Sequence, residues 1–231
     1  DRAVLPGLGS YTGDALIDAA RLLPEWYLLA ATGKATPPEE IERYVAAWRE
    51  CLARLPKIDE ALLLRDYHKD NLLWLPTRPG ARACGLLDFQ DAQRGHPSYD
   101  LVSLIEDARR DVAPAVHAAC LERYIGECGL GDPEDFRTGF ALMAAQRHAR
   151  IIGLFVRLRD DPDSVNPLSL APQELGLSGE KKNCWAFVRT ARRVIKTASR
   201  EKLSLFMSVK FSPNTKRREE RLGERENIFK K

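Results

Sequence analysis

Asp66, Asn71 and Asp88 place carboxylate and amide oxygens at the ends of short apolar runs within residues 62–91. Leu62–Leu64 reads as a buried strand that ends at Arg65-Asp66, and Asn71 follows five residues after Asp66. Leu72–Leu75 and Gly85–Leu87 read as the strands of a hairpin, with Pro76-Thr77-Arg78-Pro79-Gly80 as its turn signal. Asn71 and Asp88 then stand at the open end on neighbouring strands, which in antiparallel sheets lie about 4.8 Å apart. An amide oxygen and a carboxylate at that separation suit one hard cation. Mg²⁺ favours this pattern, taking few protein oxygens and completing its octahedron with phosphate oxygens and water. Asp66 precedes Asn71 on the same loop and can face the clamp without joining it, as a proton acceptor for an attacking hydroxyl must. Any one of these residues alone is more often a turn residue bonding its own backbone. The order carries the reading: Asp, Asn five residues on, hairpin, then Leu86-Leu87-Asp88-Phe89.

The elements expected to position these residues are mostly helical. Asp14 can cap a helix carrying Leu16, Ile17, Ala20, Leu23 and Trp26-Tyr27, which Pro24 should kink or divide. Thr36 and Pro37-Pro38 open a second helix whose apolar stripe runs through Ile41, Tyr44, Val45, Trp48 and Leu52. Trp26 and Trp48 read as helix contacts. Gly7-Leu8-Gly9-Ser10-Tyr11-Thr12-Gly13 is off-register for a nucleotide-binding glycine motif and reads as a loop before a helix. After the hairpin, helices are expected from Tyr99 to Arg110, from Val112 to Glu127 with a stop at Gly129, and from Asp132-Pro133-Glu134 onward as the longest. Gln146, Arg147, His148 and Arg150 interrupt this last helix at its centre, so that its middle could face a polar cleft; a solvated basic face is the favoured reading. Asp100 falls in the first turn of its helix, where a carboxylate favours the dipole.

The stretches LRDYHKDNLLWL and GLLDFQDAQRGHPSYDLVSL resemble the aminoglycoside phosphotransferase and choline kinase-like family. The resemblance is closest to its bacterial branch of cell-wall amino-sugar kinases acting on N-acetylmuramate and N-acetylglucosamine. It implies an α+β protein, the mainly helical C-terminal lobe of a protein-kinase-like fold, with a small β-hairpin bearing the catalytic and metal loops. It also implies ATP and Mg²⁺ as cofactors and a small-molecule hydroxyl acceptor. By that resemblance Asp66 is the catalytic base and Asn71 and Asp88 are the metal ligands. Leu73 and Leu87 form an apolar floor under the adenine, and Asp100, Arg65 and His68 support the site. Two positions depart from the family pattern: Leu64 replaces the His usually found two residues before the base, and Gln90 follows Asp88-Phe89.

The resemblance covers about residues 1–160 and leaves the nucleotide-clamping N-terminal β-lobe absent from this chain. The only lysines before Asp66 are Lys34 and Lys57. Weak activity of the chain alone is therefore the expectation, with a catalytically inactive ligand- or partner-binding lobe as the alternative. An Mg²⁺-dependent phosphohydrolase lacks a second acidic cluster and fits the loop order less well. The acceptor itself is not identified by the sequence.

The 231 residues have room for one domain and a tail, and their net charge of +3 is unevenly spread. Residues 181–231 hold 16 basic and 5 acidic side chains, whereas residues 1–180 are net acidic. The expected organisation is a kinase-like lobe at 1–160, a linker at 161–182 and a basic, partly helical tail at 183–231 with a disordered end. Such a tail could touch polyanions without specificity, and no specific nucleic-acid partner is expected. Five cysteines without a Cys-x-x-Cys pair fit free thiols in a reducing compartment. With no apolar run long enough for a membrane span, a cytoplasmic location is the expectation.

Overall fold

Helix α6, Pro133–Asp160, is the spine against which the other elements stack. Pro133 opens it at the position where a missing N–H costs nothing, and Asp132 Oδ1 accepts the Glu134 N–H at 2.8 Å. In chain order the computed structural model has α1 (Gly13–Ala20), a π-helical turn (Leu23–Tyr27), α2 (Leu28–Thr32), α3 (Pro38–Ala53) and β1 (Ala61–Leu63). Then come β2 (Leu72–Trp74), β3 (Cys84–Leu86), β4 (Gln93–Gly95), α4 (Ser98–Ile105), α5 (Pro114–Cys128) and α6. It describes residues 7–129 and 131–160. The linker expected at 161–182 and the tail expected at 183–231 lie outside the described residues. Among the described residues no helix is long and apolar enough to cross a membrane.

The result is an α+β, helix-rich architecture with two small antiparallel sheets. β1 pairs with β4 in the register Ala61↔Gly95, Leu62↔Arg94 and Leu63↔Gln93. β2 pairs with β3, Leu72↔Leu86, Leu73↔Gly85 and Trp74↔Cys84. The hairpin follows the apolar runs, one residue shorter at Leu75 and shifted by one in its second strand. β4 has no apolar alternation and was not expected as a strand. Its partners hold it, since Arg94 N donates to Gly9 O at 2.8 Å and Tyr11 N to Arg94 O at 2.7 Å. The glycine-containing stretch thus docks on β4 as backbone.

Two apolar clusters flank α6. One gathers Tyr11, Leu16, Leu63, Tyr99, Val102 and Phe136, and the other Ile17, Ala20, Tyr44, Val45, Trp48 and Ala149. Each fully buried large apolar side chain contributes about 1.5–3 kcal/mol relative to exposure. Pro24 divides the first helix as expected, by widening it into a π turn that packs on α6. The approach is close: a Cβ on Gly153 would lie 2.0 Å from the Leu22 carbonyl oxygen.

Several helix ends differ from expectation. Thr12, not Asp14, is the N-cap of α1, and Asp14 sits in its first turn. Pro37 precedes α3 in place of Thr36, whose hydroxyl donates instead to Pro24 O at 2.5 Å. α5 starts at Pro114 and ends at Gly129, which is left-handed with φ 56°. α4 stops at Ile105 rather than Arg110 because Asp107 turns back on the chain, its Oδ1 accepting the Arg109 N–H at 3.1 Å.

Glu106, just past α4, ties three helices. Its Oε1 lies 3.0 Å from His117 Nε2 on α5, and its Oε2 lies 2.8 Å from His148 Nε2 on α6. Burial alone would raise its pKa, but the bonds and charges of both histidines outweigh this and hold it at about 2. A depressed carboxylate stabilises above its unfolded pKa and loses that contribution as pH falls toward the folded one. Stability measured from pH 4.5 down to 2 should therefore fall by about 3 kcal/mol more in the unmodified chain than in Glu106→Gln. In thermal melts, Gly153→Ala should cost on the order of 1–3 kcal/mol through the forced retreat of the π turn.

Candidate active site

The loop after β1 is fixed by a carboxylate 35 residues away. Asp100, in the first turn of α4, accepts the backbone N–H of Leu64 at 2.6 Å on Oδ2 and that of Arg65 at 3.0 Å on Oδ1. Ser103 Oγ, one turn along α4, lies 3.2 Å from the Arg65 carbonyl oxygen and donates to it. Both backbone polar atoms of Arg65 are thereby held by side chains of α4. Burial pushes the Asp100 carboxyl up, the two N–H groups and Arg147 oppose it, and the net shift is upward.

Arg65 needs this restraint because its φ is 65°, in the left-handed region where a non-glycine residue costs roughly 1–2 kcal/mol. Asp88, with φ 56°, is the other such non-glycine among the described residues. Strained backbone of this kind clusters at functional sites. The Arg65 guanidinium lies over the Tyr11 ring, 4.6 Å from its centroid, and Tyr11 packs edge-on to Tyr99.

Beyond Arg65 the chain turns tightly and brings Asn71 against the main chain of Asp66 and the carboxylate of Asp88. Asn71 Nδ2 donates to the Asp66 carbonyl at 2.9 Å and reaches Asp88 Oδ2 at 3.3 Å. His68 Nε2 also lies 3.3 Å from Asn71 Nδ2. With its nitrogen turned toward these acceptors, Asn71 keeps its amide oxygen for another partner. The expected ladder geometry holds, since Leu87 N donates to Asn71 O at 2.9 Å and brings Asp88 alongside. Gln90 Nε2 donates to Asp88 Oδ1 at 2.5 Å, so the residue departing from the family pattern bonds the carboxylate two positions before it.

An amide oxygen and a carboxylate are hard donors, the chemistry Mg²⁺ takes. Among the described residues no group of three His, Cys, Asp or Glu side chains converges as a metal centre, so a cation here has few protein ligands. Strand alternation puts Leu73 and Leu87 on the hairpin face that carries Asn71. They are 45% and 46% exposed, and Gly85 between them adds no side chain. That face can receive a flat apolar group next to the oxygen pair. His68 is partly buried, and its pKa is lowered by burial first and then by Arg109.

The solvated reading of the middle of α6 is overturned. Gln146, Arg147 and His148 are 0%, 2% and 3% exposed, because this stretch of α6 packs against α1 and α4. Gln146 Nε2 donates to Leu16 O at 2.7 Å, and Arg150 Nη1 lies 3.9 Å from Asp66 Oδ1. Polar residues breaking an apolar pattern were the available signal. Sequence alone does not say whether such a break faces water or a site.

Comparison with known proteins gives the family. The model of the phosphotransferase enzyme family fits residues 9–137, and the chain belongs to that family. Its curated relatives include the N-acetylmuramate/N-acetylglucosamine kinase of Caulobacter vibrioides, 49% identical over 94 residues, which are 41% of this chain and 26% of that protein. The enzymes of the same name from Neisseria meningitidis serogroup B and Pseudomonas aeruginosa are 31% and 33% identical over 168 and 158 residues. Those matches take in 69% and 65% of this chain and 49% and 45% of the relatives. The chain thus spans about half or less of the length of the curated relatives it matches.

If Asp100 holds the loop, Asp100→Ala leaves two backbone N–H groups without their acceptor, at about 1–3 kcal/mol each where they stay buried. Urea unfolding should show a loss on the order of 2 kcal/mol or more. Hydrogen exchange at Leu64 and Arg65 should rise above that of the neighbouring β1 amides.

Proposed function

We propose that this chain is the catalytic, acceptor-binding part of an ATP-dependent phosphotransferase acting on a hydroxyl of an amino sugar. The observation that carries this reading is the Asn71 amide, whose Nδ2 donates to the main-chain carbonyl of Asp66 at 2.9 Å and reaches the Asp88 carboxylate at 3.3 Å, so that one side chain ties the Asp66 loop to Asp88. The relatives' names supply the acceptor class, N-acetylmuramate or N-acetylglucosamine. The expected lobe at 1–160 is the unit to which we assign the activity.

In this reading Asp66 takes the proton of the acceptor hydroxyl as that oxygen bonds to the γ-phosphorus and the bond to the departing ADP oxygen breaks. Asn71 and Asp88 would hold Mg²⁺, which would supply neutralisation of phosphate charge. Leu73 and Leu87 would supply an apolar floor for the adenine. Asp100 and Arg65 fix the direction of Asp66, and His68 buttresses Asn71. Positioning and charge neutralisation supply most of the rate in such a transfer.

ATP consumption with Mg²⁺ against a panel of amino sugars, aminoglycosides and choline tests this. Acceptor-dependent turnover is expected, falling by about 10²–10⁴-fold in Asp66→Ala. Metal-dependent ATP binding without turnover in either chain selects a non-catalytic lobe instead. Acceptor-independent phosphate release that survives Asp66→Ala refutes the assignment of the base.

A further inference from the structure

We infer that Arg150, backed by Arg147, forms an anion seat beside Asp66 that takes a carboxylate of the acceptor and so favours an acidic amino sugar over its neutral counterpart. The inference rests on the acceptor reading above and adds the specificity residue to it.

The two arginines lie three residues apart on one face of α6, where side chains stand over one another. Arg147 is 2% exposed, and its Nε and Nη1 have no hydrogen-bond partner. A buried cation is tolerated when its donors are matched, and leaving them unmatched is expensive.

None of the neighbouring acids among the described residues hydrogen-bonds either guanidinium. Asp100 has given both oxygens to the Leu64 and Arg65 amides. Asp107 Oδ1 accepts the Arg109 backbone N–H at 3.1 Å and its Nε at 3.0 Å. Asp66 stands 3.9 Å from Arg150 Nη1, within Coulomb attraction but beyond hydrogen-bond length. Two adjacent guanidiniums therefore share a face with no carboxylate hydrogen-bonded to either.

Access comes from the Arg150 side, whose side chain is 13% exposed while Arg147 is sealed behind it. Arg150 can present a planar fork to an incoming carboxylate, and Arg147 adds positive potential without contact. A sugar whose hydroxyl sits on Asp66 brings its other ring substituents into the reach of Arg150. N-acetylmuramate carries a carboxylate on such a substituent, a lactyl ether, and N-acetylglucosamine has a hydroxyl there. The seat distinguishes these two by charge.

Calorimetric binding of N-acetylmuramate, its carboxamide and N-acetylglucosamine at low salt tests this on the full chain. The unmodified chain should bind the acid more tightly than the carboxamide, a ligand-side comparison that does not depend on any variant folding. In Arg150→Gln the ratio of affinities, acid over N-acetylglucosamine, should fall by roughly 10–100-fold, the range for losing a hydrogen bond to a charged group. Arg150→Lys, which keeps the charge but not the fork, should recover part of it. Equal binding of acid and carboxamide overturns the seat, as does an unchanged ratio in a folded Arg150→Gln. Binding of neither sugar by the unmodified chain overturns the acceptor reading and the seat together.

Discussion

The hydrogen bonds from Leu64 and Arg65 to the Asp100 carboxylate are the constraint on which the site depends. They join the end of a three-residue strand to the first turn of a helix across 35 residues of sequence, and they bear directly on the left-handed Arg65. A left-handed non-glycine costs roughly 1–2 kcal/mol, whereas hydrogen bonds to a charged group contribute about 1.5–3 kcal/mol each. Two such bonds outweigh the strain, so the conformation that aims Asp66 is stable rather than merely tolerated. Asp66 then accepts His68 N and Asn71 Nδ2 on its carbonyl, and the rest of the loop follows from that one residue.

The two halves of the site are built differently. Asp66 stands on a loop anchored in the core, next to Tyr99 at 0% and Leu63 at 1% exposure. Asn71 and Asp88 stand on a hairpin with little behind it. Apart from Leu29 and Val116, the exposed large apolar side chains among the described residues all belong to positions 62–89, with Trp74 at 77% and Phe89 at 58%. Few buried contacts and solvent-reachable ladder bonds are the marks of a segment that opens at low free energy. Asp88 is strained like Arg65 but is restrained by Asn71 and Gln90, two exposed or half-exposed amides. Asp66 is thus held by a loop packed on the core, whereas Asn71 and Asp88 are held chiefly by one another.

What could be read from the sequence follows the range of the interactions. The hairpin, the order of Asp66, Asn71 and Asp88, and the family resemblance all rest on contiguous stretches, and the structure brings those three residues together. Asp100 was legible as a support only through the resemblance, because a carboxylate in a first helical turn is equally explained by the helix dipole. β4 was not legible at all. Gln93-Arg94-Gly95 has neither alternation nor β-branched residues, and its pairing is imposed by β1 on one side and Gly9–Tyr11 on the other.

The middle of α6 failed for a different reason. Gln146, Arg147, His148 and Arg150 have the composition of a wet helix face, and local pattern rules treat charge as evidence of solvent. Burial of a charge depends on what the opposite elements bring. Here those are Leu16 O for Gln146, Glu106 for His148, and Asp66 for Arg150, all distant in sequence. Each of these contacts ties the spine to a different element: α1, the end of α4, and the loop after β1. Arg150 matches the charge of Asp66 at 3.9 Å and so couples the fold's longest element to that loop. The same polar residues that defeat a hydrophobic-periodicity reading therefore bear on the orientation of α6, because rotating the helix would break the bonds of Gln146 to Leu16 and of His148 to Glu106.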